Sequence, residues 1–346
     1  MKVLIVASAL TLVGSCATLS HTEKLQNIKD SIVFTDANII NNYANTITSD
    51  ELKTHVYKFS DDEFQGRRAG EPGHHKAANY LKNYYIEENI ASPLGTDNYY
   101  QIVPESFFKD GIKSSPNVIA YIKGSEYPEE VLIISGHSDH EGYTENAIYN
   151  GADDNGSGTA AMLEMAQAFK KAESEGFAPK RSIVFLHLTG EEIDLTGSRY
   201  YTKHPIFPLH NTIANLNIDM IGRVDDSHED NPNYIYLIGS DRLSTELHYI
   251  SESANENFTK LELDYRLDSD SDPNQYYSRS DHYNFAQNGI PVIFYFNGTH
   301  DDYHEITDTA EKINYPLLQK RTKLIFTTAW YIANNENRIE VDQDSK

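Results

Sequence analysis

The chain is expected to fold as an α/β protein, a single-domain α/β/α sandwich with a mixed, mostly parallel central sheet. Three observations predict it. Apolar, β-branched runs of strand length recur, with Ile183-Val184-Phe185-Leu186 the clearest. Stretches with helical spacing of apolar residues alternate with them. No long Gly/Ser/Pro linker and no internal repeat divides the 346 residues, so one domain is expected.

In chain order, Leu19 to about Asp50 is polar and Asn/Thr-rich and reads as a tether. Glu51–Phe59 is expected to be helical. Asp61–Gly73 is turn-rich. His75–Glu88 carries Ala77, Tyr80, Leu81, Tyr84 and Tyr85 at helical spacing, with His74 and His75 as its polar start. Asn117–Ile122 and Val131–Ser135 read as a hairpin or as neighbouring strands. Ser157–Lys171 is a helix, Ile183–Leu188 a strand, Leu195–Thr202 a short helix. Ile213–Ile218 and Tyr234–Ile238 are strands and Leu243–Phe258 a helix. Asp268–Asn274 is a solvated acidic loop. Asp281–Gln287 opens a short helix, Ile290–Phe296 is a buried strand and Tyr315–Ile332 a long closing helix.

Acidic residues number 52 against 29 basic ones, a formal charge of −23, which argues against a nucleic-acid backbone as partner. The surplus fits a solvated surface and a site that attracts cations. The only cysteine, Cys16, excludes an intrachain disulfide. Met1-Lys2, the apolar run Val3–Val13 and Gly14-Ser15-Cys16 resemble a bacterial lipoprotein signal, in which Cys16 would carry the lipid. The divisions expected are a signal over residues 1–15, a polar tether over 16–50, the main folded domain over 51–335 and a polar tail over 336–346. Membrane contact would run through the lipid on Cys16 alone. The absence of Asp after Cys16 points to an exported outer-membrane lipoprotein facing the periplasm or the cell surface.

Four strands are each followed within a few residues by possible metal ligands. His137 and Asp139 follow Val131–Ser135, Glu191 and Glu192 follow Ile183–Leu188, Asp219 follows Ile213–Ile218, and Asn297 to His304 follow Ile290–Phe296. In open α/β sheets, ligands bind at the carboxyl ends of the strands. Parallel neighbours would bring these side chains to one edge. A fifth piece, the glycine-rich acidic turn Gly151–Gly158, opens a helix. His, Asp and Glu without Cys suit catalytic zinc, and the set exceeds what one ion needs. Of Asp153 and Asp154, one is expected to cap the turn or to accept hydrogen bonds within it. His140, His187, His282 and His300 are expected to be structural. Asp281 and Asp308 either orient the site or cap the surface. Arg67, Arg68 and Arg279 either meet substrate carboxylates or pair with acids.

The ordered motifs HSDH at His137–His140, GADDNGSG at Gly151–Gly158, GEE at Gly190–Glu192, NIDM at Asn217–Met220 and YHE at Tyr303–Glu305 resemble the co-catalytic zinc aminopeptidases of clan MH, the aminopeptidase Y/S family. The likeness runs from about Leu52 to Ile332. It implies two zinc ions, one on His137 and Asp219, the other on Glu192 and His304, with Asp154 bridging. It makes Glu191 the general base and acid, and Asp139 the hydrogen-bond partner of the His137 ring. Tyr303 would steady the oxyanion. Asp194 stands where the family often has glycine. The implied substrate is a peptide with a free amino terminus. The rivals are a carboxypeptidase, a single-zinc glutaminyl cyclase and a non-catalytic peptide-binding protein. No arginine cluster adjoins the ligand motifs in sequence, which ranks the carboxypeptidase second.

Overall fold

Arg181–Leu188 is buried along its whole length. Ile183 and Phe185 enter one apolar core, while Val184, Leu186 and Leu188 enter another. A strand with two buried faces belongs in the middle of a sheet covered on both sides. The computed structural model describes residues 20–109 and 111–342, so residues 1–15 and Cys16 lie outside the described residues.

The strands, in chain order, are β1 (Tyr100–Val103), β2 (Ser115–Ile122), β3 (Tyr127–His137), β4 (Gly142–Tyr143), β5 (Ile148–Tyr149), β6 (Arg181–Leu188), β7 (Thr212–Ile218), β8 (Tyr234–Ile238), β9 (Glu262–Asp264) and β10 (Val292–Phe296). β4 and β5 pair only with each other, and the rest form one sheet in the order β1-β2-β6-β3-β7-β10-β8-β9. Its centre, β6-β3-β7-β10, is parallel throughout. β8 adds antiparallel to β10 and β9 parallel to β8, and on the other side β2 and β1 add antiparallel. The mixed, mostly parallel sandwich is therefore observed. β2 and β3 are not neighbours, however, because β6 lies between them. The connection from β2 leads not into a hairpin but over β6.

The helices are α1 (His21–Ser31), α2 (Ala37–Ala44), α3 (Ser49–Phe59), α4 (Pro72–Glu87), α5 (Gly158–Ser174), α6 (Thr196–Lys203), α7 (Thr245–Ala254), α8 (His282–Ala286) and α9 (Tyr315–Asn334). The larger core takes residues from α2, α3, α4, α5, α7 and α9, and the core on the opposite face takes residues from α6 and α8. The expected tether over residues 16–50 is corrected, because from Ser20 onward it is part of the fold. The Ser20 hydroxyl accepts from the Glu23 amide and the Glu23 carboxylate accepts from the Ser20 amide, a capping box that starts α1. On α2, Ile40, Tyr43 and Ala44 are buried, and the Tyr43 ring stacks on Trp330 of α9. The expected polar tail also folds back as far as residue 342. Ile339 is buried, and the Asp342 carboxylate accepts from the Thr245 amide at 2.9 Å. Among the described residues no helix is long and apolar enough to cross a membrane.

Candidate metal centre

β3 delivers His137 at its last residue, with the ring 1% exposed. The neighbouring strand ends deliver Glu191 and Glu192 after β6, and Asp219 directly after β7. Asp154 comes from the turn before α5. That turn needs glycine at Gly151, whose φ is +52° and where a Cβ would lie 2.1 Å from the Asp154 carbonyl oxygen. The Asp153 and Asp154 amides both donate to the Asp308 carboxylate, at 3.0–3.1 Å. Asp308 is fully buried and so anchors the turn rather than capping the surface.

The five expected ligands meet. His137 Nε2 lies 3.1 Å from Asp154 Oδ1 and 3.1 Å from Asp219 Oδ1. His304 Nε2 lies 3.1 Å from Asp154 Oδ2 and 3.1 Å from Glu192 Oε2. Asp154 thus offers one oxygen to each histidine. Asp153 turns the other way, to His300 Nε2 at 3.1 Å and the Gly222 amide at 2.7 Å. Ser280 donates to the second oxygen of Asp219 at 2.7 Å.

Asp139 needs a correction. The His137 Nδ1 partner is the Asp139 backbone carbonyl at 3.2 Å, while the carboxylate stands 3.9 Å off and accepts from the Glu191 amide at 3.2 Å. The ring is still oriented, but by the main chain, and the acid fixes the loop that carries Glu191. Tyr303 stacks on the His304 ring with centroids 3.9 Å apart. Asp194 holds φ at +58°, the left-handed conformation in which glycine is easiest, and pairs with Lys109. Its presence therefore leaves that turn intact.

His140 makes a hydrogen bond to an expected ligand, within the structural role expected of it, while His74 and Arg67 differ from expectation. His140 is buried and points its Nδ1 at Glu192 Oε1, 3.0 Å away, with Asp154 Oδ2 at 3.6 Å. Spacing along an extended segment gave no sign of where that ring would aim. His74 is not a polar helix start. It is buried, hydrogen-bonded to Ser138 at 3.0 Å and Ser115 at 2.9 Å. Among the described residues no acid pairs with Arg67. Buried, it donates to the carbonyls of Phe59, Ser138, Asn150, Gly151 and Asp154 at 2.6–3.3 Å, tying together the loops that carry His137 and Asp154. Arg279 reaches the site from the segment before α8, although it lies far from the ligand motifs in sequence.

The electrostatics describe a cluster in need of positive charge. Burial opposes protonation of His137, but Asp219, Glu191 and Asp154 outweigh it and hold its pKa well above the ordinary value. Burial likewise opposes His304, yet Asp154 and Glu192 lift it to about 10. Burial pushes Glu191 well up, with Asp219 and Glu192 adding to the rise and His137 opposing it. Asp154 runs the other way. Burial would raise it, but His140, His137 and His304 hold it well below the carboxylate range.

Divalent cations would supply the same charge and release those protons. The donors fit such ions. Imidazole nitrogens and carboxylate oxygens 3.1 Å apart lie slightly inside the edges, about 3.3–3.4 Å, of a tetrahedron with metal–ligand bonds of about 2.0–2.1 Å. His304 Nε2, between two carboxylates, makes no well-aligned hydrogen bond to either. Three-residue groups with ligand atoms within 4.8 Å form on both sides of Asp154, His137-Asp154-Asp219 and His140-Asp154-Glu192.

A family model described as Peptidase family M28 matches residues 117–329. A protein named "Probable aminopeptidase" from Saccharomyces cerevisiae is 28% identical over 217 residues, covering 60% of this chain and 55% of its own. A "Probable glutamate carboxypeptidase" from Arthroderma benhamiae is 38% identical over 105 residues, covering 30% and 14%. The first curated relatives are spanned over only about half their length, 50%, 55% and 48%. Among solved structures, BSAP, a zinc aminopeptidase from Bacillus subtilis, shares the fold with a TM-score of 0.63, at 17% identity over 87% of this chain and 99% of that one.

Proposed function

The chain belongs to peptidase family M28, and from that premise we propose that it is a zinc exopeptidase that removes N-terminal residues from peptides. The observation that carries this reading is the division of Asp154, one oxygen toward His137 and the other toward His304, with each histidine facing a further acid of its own. A pair of sites sharing one carboxylate is the arrangement that two co-catalytic ions need. His137 and Asp219 would hold one zinc, Glu192 and His304 the other, with Asp154 common to both. Bound there, the ions would acidify a water and polarise the scissile carbonyl.

The protein's own groups account for the rest. Glu191 is buried among acids and carries a raised proton affinity, which suits a group that takes a proton from water and hands it to the departing amine. Asp139 holds the Glu191 amide and so steadies that carboxylate's loop. Burial, with Asp154 and Glu192 adding to it, raises the Tyr303 pKa, keeping the phenol protonated and able to donate to a developing oxyanion. The carboxylates of Glu191 and Asp219 beside the proposed reacting centre suit a cationic amino terminus, which supports the aminopeptidase over the carboxypeptidase.

Export on a lipid attached to Cys16 belongs to the same proposal. With α1 beginning at His21, such an anchor would hold the domain close to the membrane and not on a long leash.

The test is a panel of aminoacyl anilides run with and without a chelator. Release of anilide from substrates with a free amine, abolished by the chelator and restored by zinc, is the expected result. Activity that survives complete zinc removal overturns the reading.

A further inference from the structure

A small recess of about 30 Å³ opens beside Asp154, Glu191 and Asp219. Met220, Tyr276, Phe294 and Phe296 wall it, and Arg279 and Tyr303 stand in its lining. The Arg279 guanidinium lies 5.1 Å from the centroid of the Tyr276 ring, and Nη2 is 3.5 Å from the Tyr303 hydroxyl.

Arg181, Arg223, Arg242 and Arg266 each have a carboxylate at 2.6–2.8 Å. Arg67 and Arg321 are buried among backbone carbonyls. Among the described residues no carboxylate lies within the 4.0 Å ion-pair limit of Arg279, in a chain with 52 acids to 29 bases. Arg68, Arg199 and Arg338 also have no ion-paired carboxylate among the described residues, but none of them lines this recess, and Arg279 does. Arg279 is exposed, but its guanidinium rests on an aromatic face, which steadies its plane. It also lines the recess that adjoins the proposed reacting centre. There it repels an ammonium group, so it cannot serve the substrate's amino terminus.

We propose that Arg279 receives the side-chain carboxylate of an N-terminal Asp or Glu, making acidic residues the preferred ones to be released. This rests on the aminopeptidase reading above. A planar fork and a carboxylate match as a bidentate pair.

The experiment compares kcat/KM of the zinc-loaded enzyme on Glu-, Leu- and Lys-p-nitroanilide, together with an N-acetylated dipeptide ending in a free glutamate. The wild type should favour Glu over Leu about tenfold or more. R279A should cut that ratio about tenfold, and R279K should retain part of it. R279E should move the preference toward Lys. Added salt should lower the Glu-to-Leu ratio of the wild type and leave that of R279A flat, which a purely structural arginine would not produce. A wild type that prefers Leu, with a ratio that R279A and R279E leave unmoved, overturns the proposal. Cleavage of the blocked dipeptide that depends on Arg279 overturns it too, by assigning the arginine to a terminal carboxylate. Chelator-sensitive cleavage of the Leu substrate alongside either failure leaves the aminopeptidase reading standing. If no substrate with a free amine is cleaved, both fall.

Discussion

His137 and His304 face the same aspartate from opposite sides, yet they are held in opposite ways. The His137 side chain is 1% exposed at the end of a strand paired on both edges, its far nitrogen is engaged by a main-chain carbonyl, and its acid Asp219 is fixed by Ser280. The His304 side chain is 33% exposed, sits on a loop at φ +57°, and has only the half-exposed Glu141 3.5 Å from its far nitrogen. One half of the centre is part of the sheet, and the other is applied to it by a loop. Partners that fix a ligand's orientation commonly change metal affinity 10- to 100-fold. The His137 half should therefore be the tight one and the His304 half the exchangeable one.

The most drastic way to break this comparison is to remove each histidine. His304→Ala should keep roughly one zinc per chain, whereas His137→Ala, which leaves Asp154 and Asp219 facing a buried gap, should keep less. Both should fall below detection on anilide substrates. Elemental analysis after dialysis decides, and retention of one ion by His137→Ala with none left in His304→Ala reverses the assignment.

Next in size is the acid between the halves. Glu191→Gln should lose about 10³-fold in kcat while binding the wild-type amount of zinc, since general acid–base groups contribute roughly 10²–10⁴. Near-normal turnover with zinc present would remove Glu191 from the mechanism.

The rigid half also depends on Arg67. Replacing it with Met strands carbonyls on the loops carrying His137 and Asp154. Each buried polar group left unpaired costs about 1–3 kcal/mol, so Arg67→Met should destabilise by at least about 3 kcal/mol. Urea unfolding measures this, and a loss below about 1 kcal/mol would show the loops hold themselves.

What the sequence disclosed follows the same division. The strand ends were legible because period, apolar runs and the ligands after them all agree, and β3, β6, β7 and β10 then bring those ligands to one edge. The choice of Asp154 over Asp153 agrees with the way the turn faces, Asp154 toward His137 and His304 and Asp153 toward His300. Contacts between segments far apart in the chain were not legible. Arg67 is most useful to carbonyls some 70 to 90 positions away, and a carbonyl has no letter of its own. Arg279 nears the site only because β10 and the segment before α8 fold toward it. α2 was missed because its asparagines have weak helix propensity, while its stability comes from Tyr43 on Trp330.

The gentlest perturbation contrasts these histidines with His187, which lies on β6 and, among the described residues, hydrogen-bonds the Tyr85 hydroxyl at 2.7 Å. Without a carboxylate opposite, burial alone pushes its pKa down to about 3, the reverse of His137 and His304. Between that value and the unfolded value of about 6.5, the unfolded chain binds a proton that the folded chain refuses. Stability therefore rises with pH across that window and is lost as pH falls through it, by at most about 1.4 kcal/mol per unit for one such group. His187→Gln removes the titration and leaves the zinc ligands untouched. Its unfolding free energy should fall less steeply than the wild type's between pH 6.5 and the acid limit of folding. Both proteins lose metal alike on acidification, so the difference between their slopes isolates His187, and parallel slopes would mean that its burial plays no part in acid sensitivity.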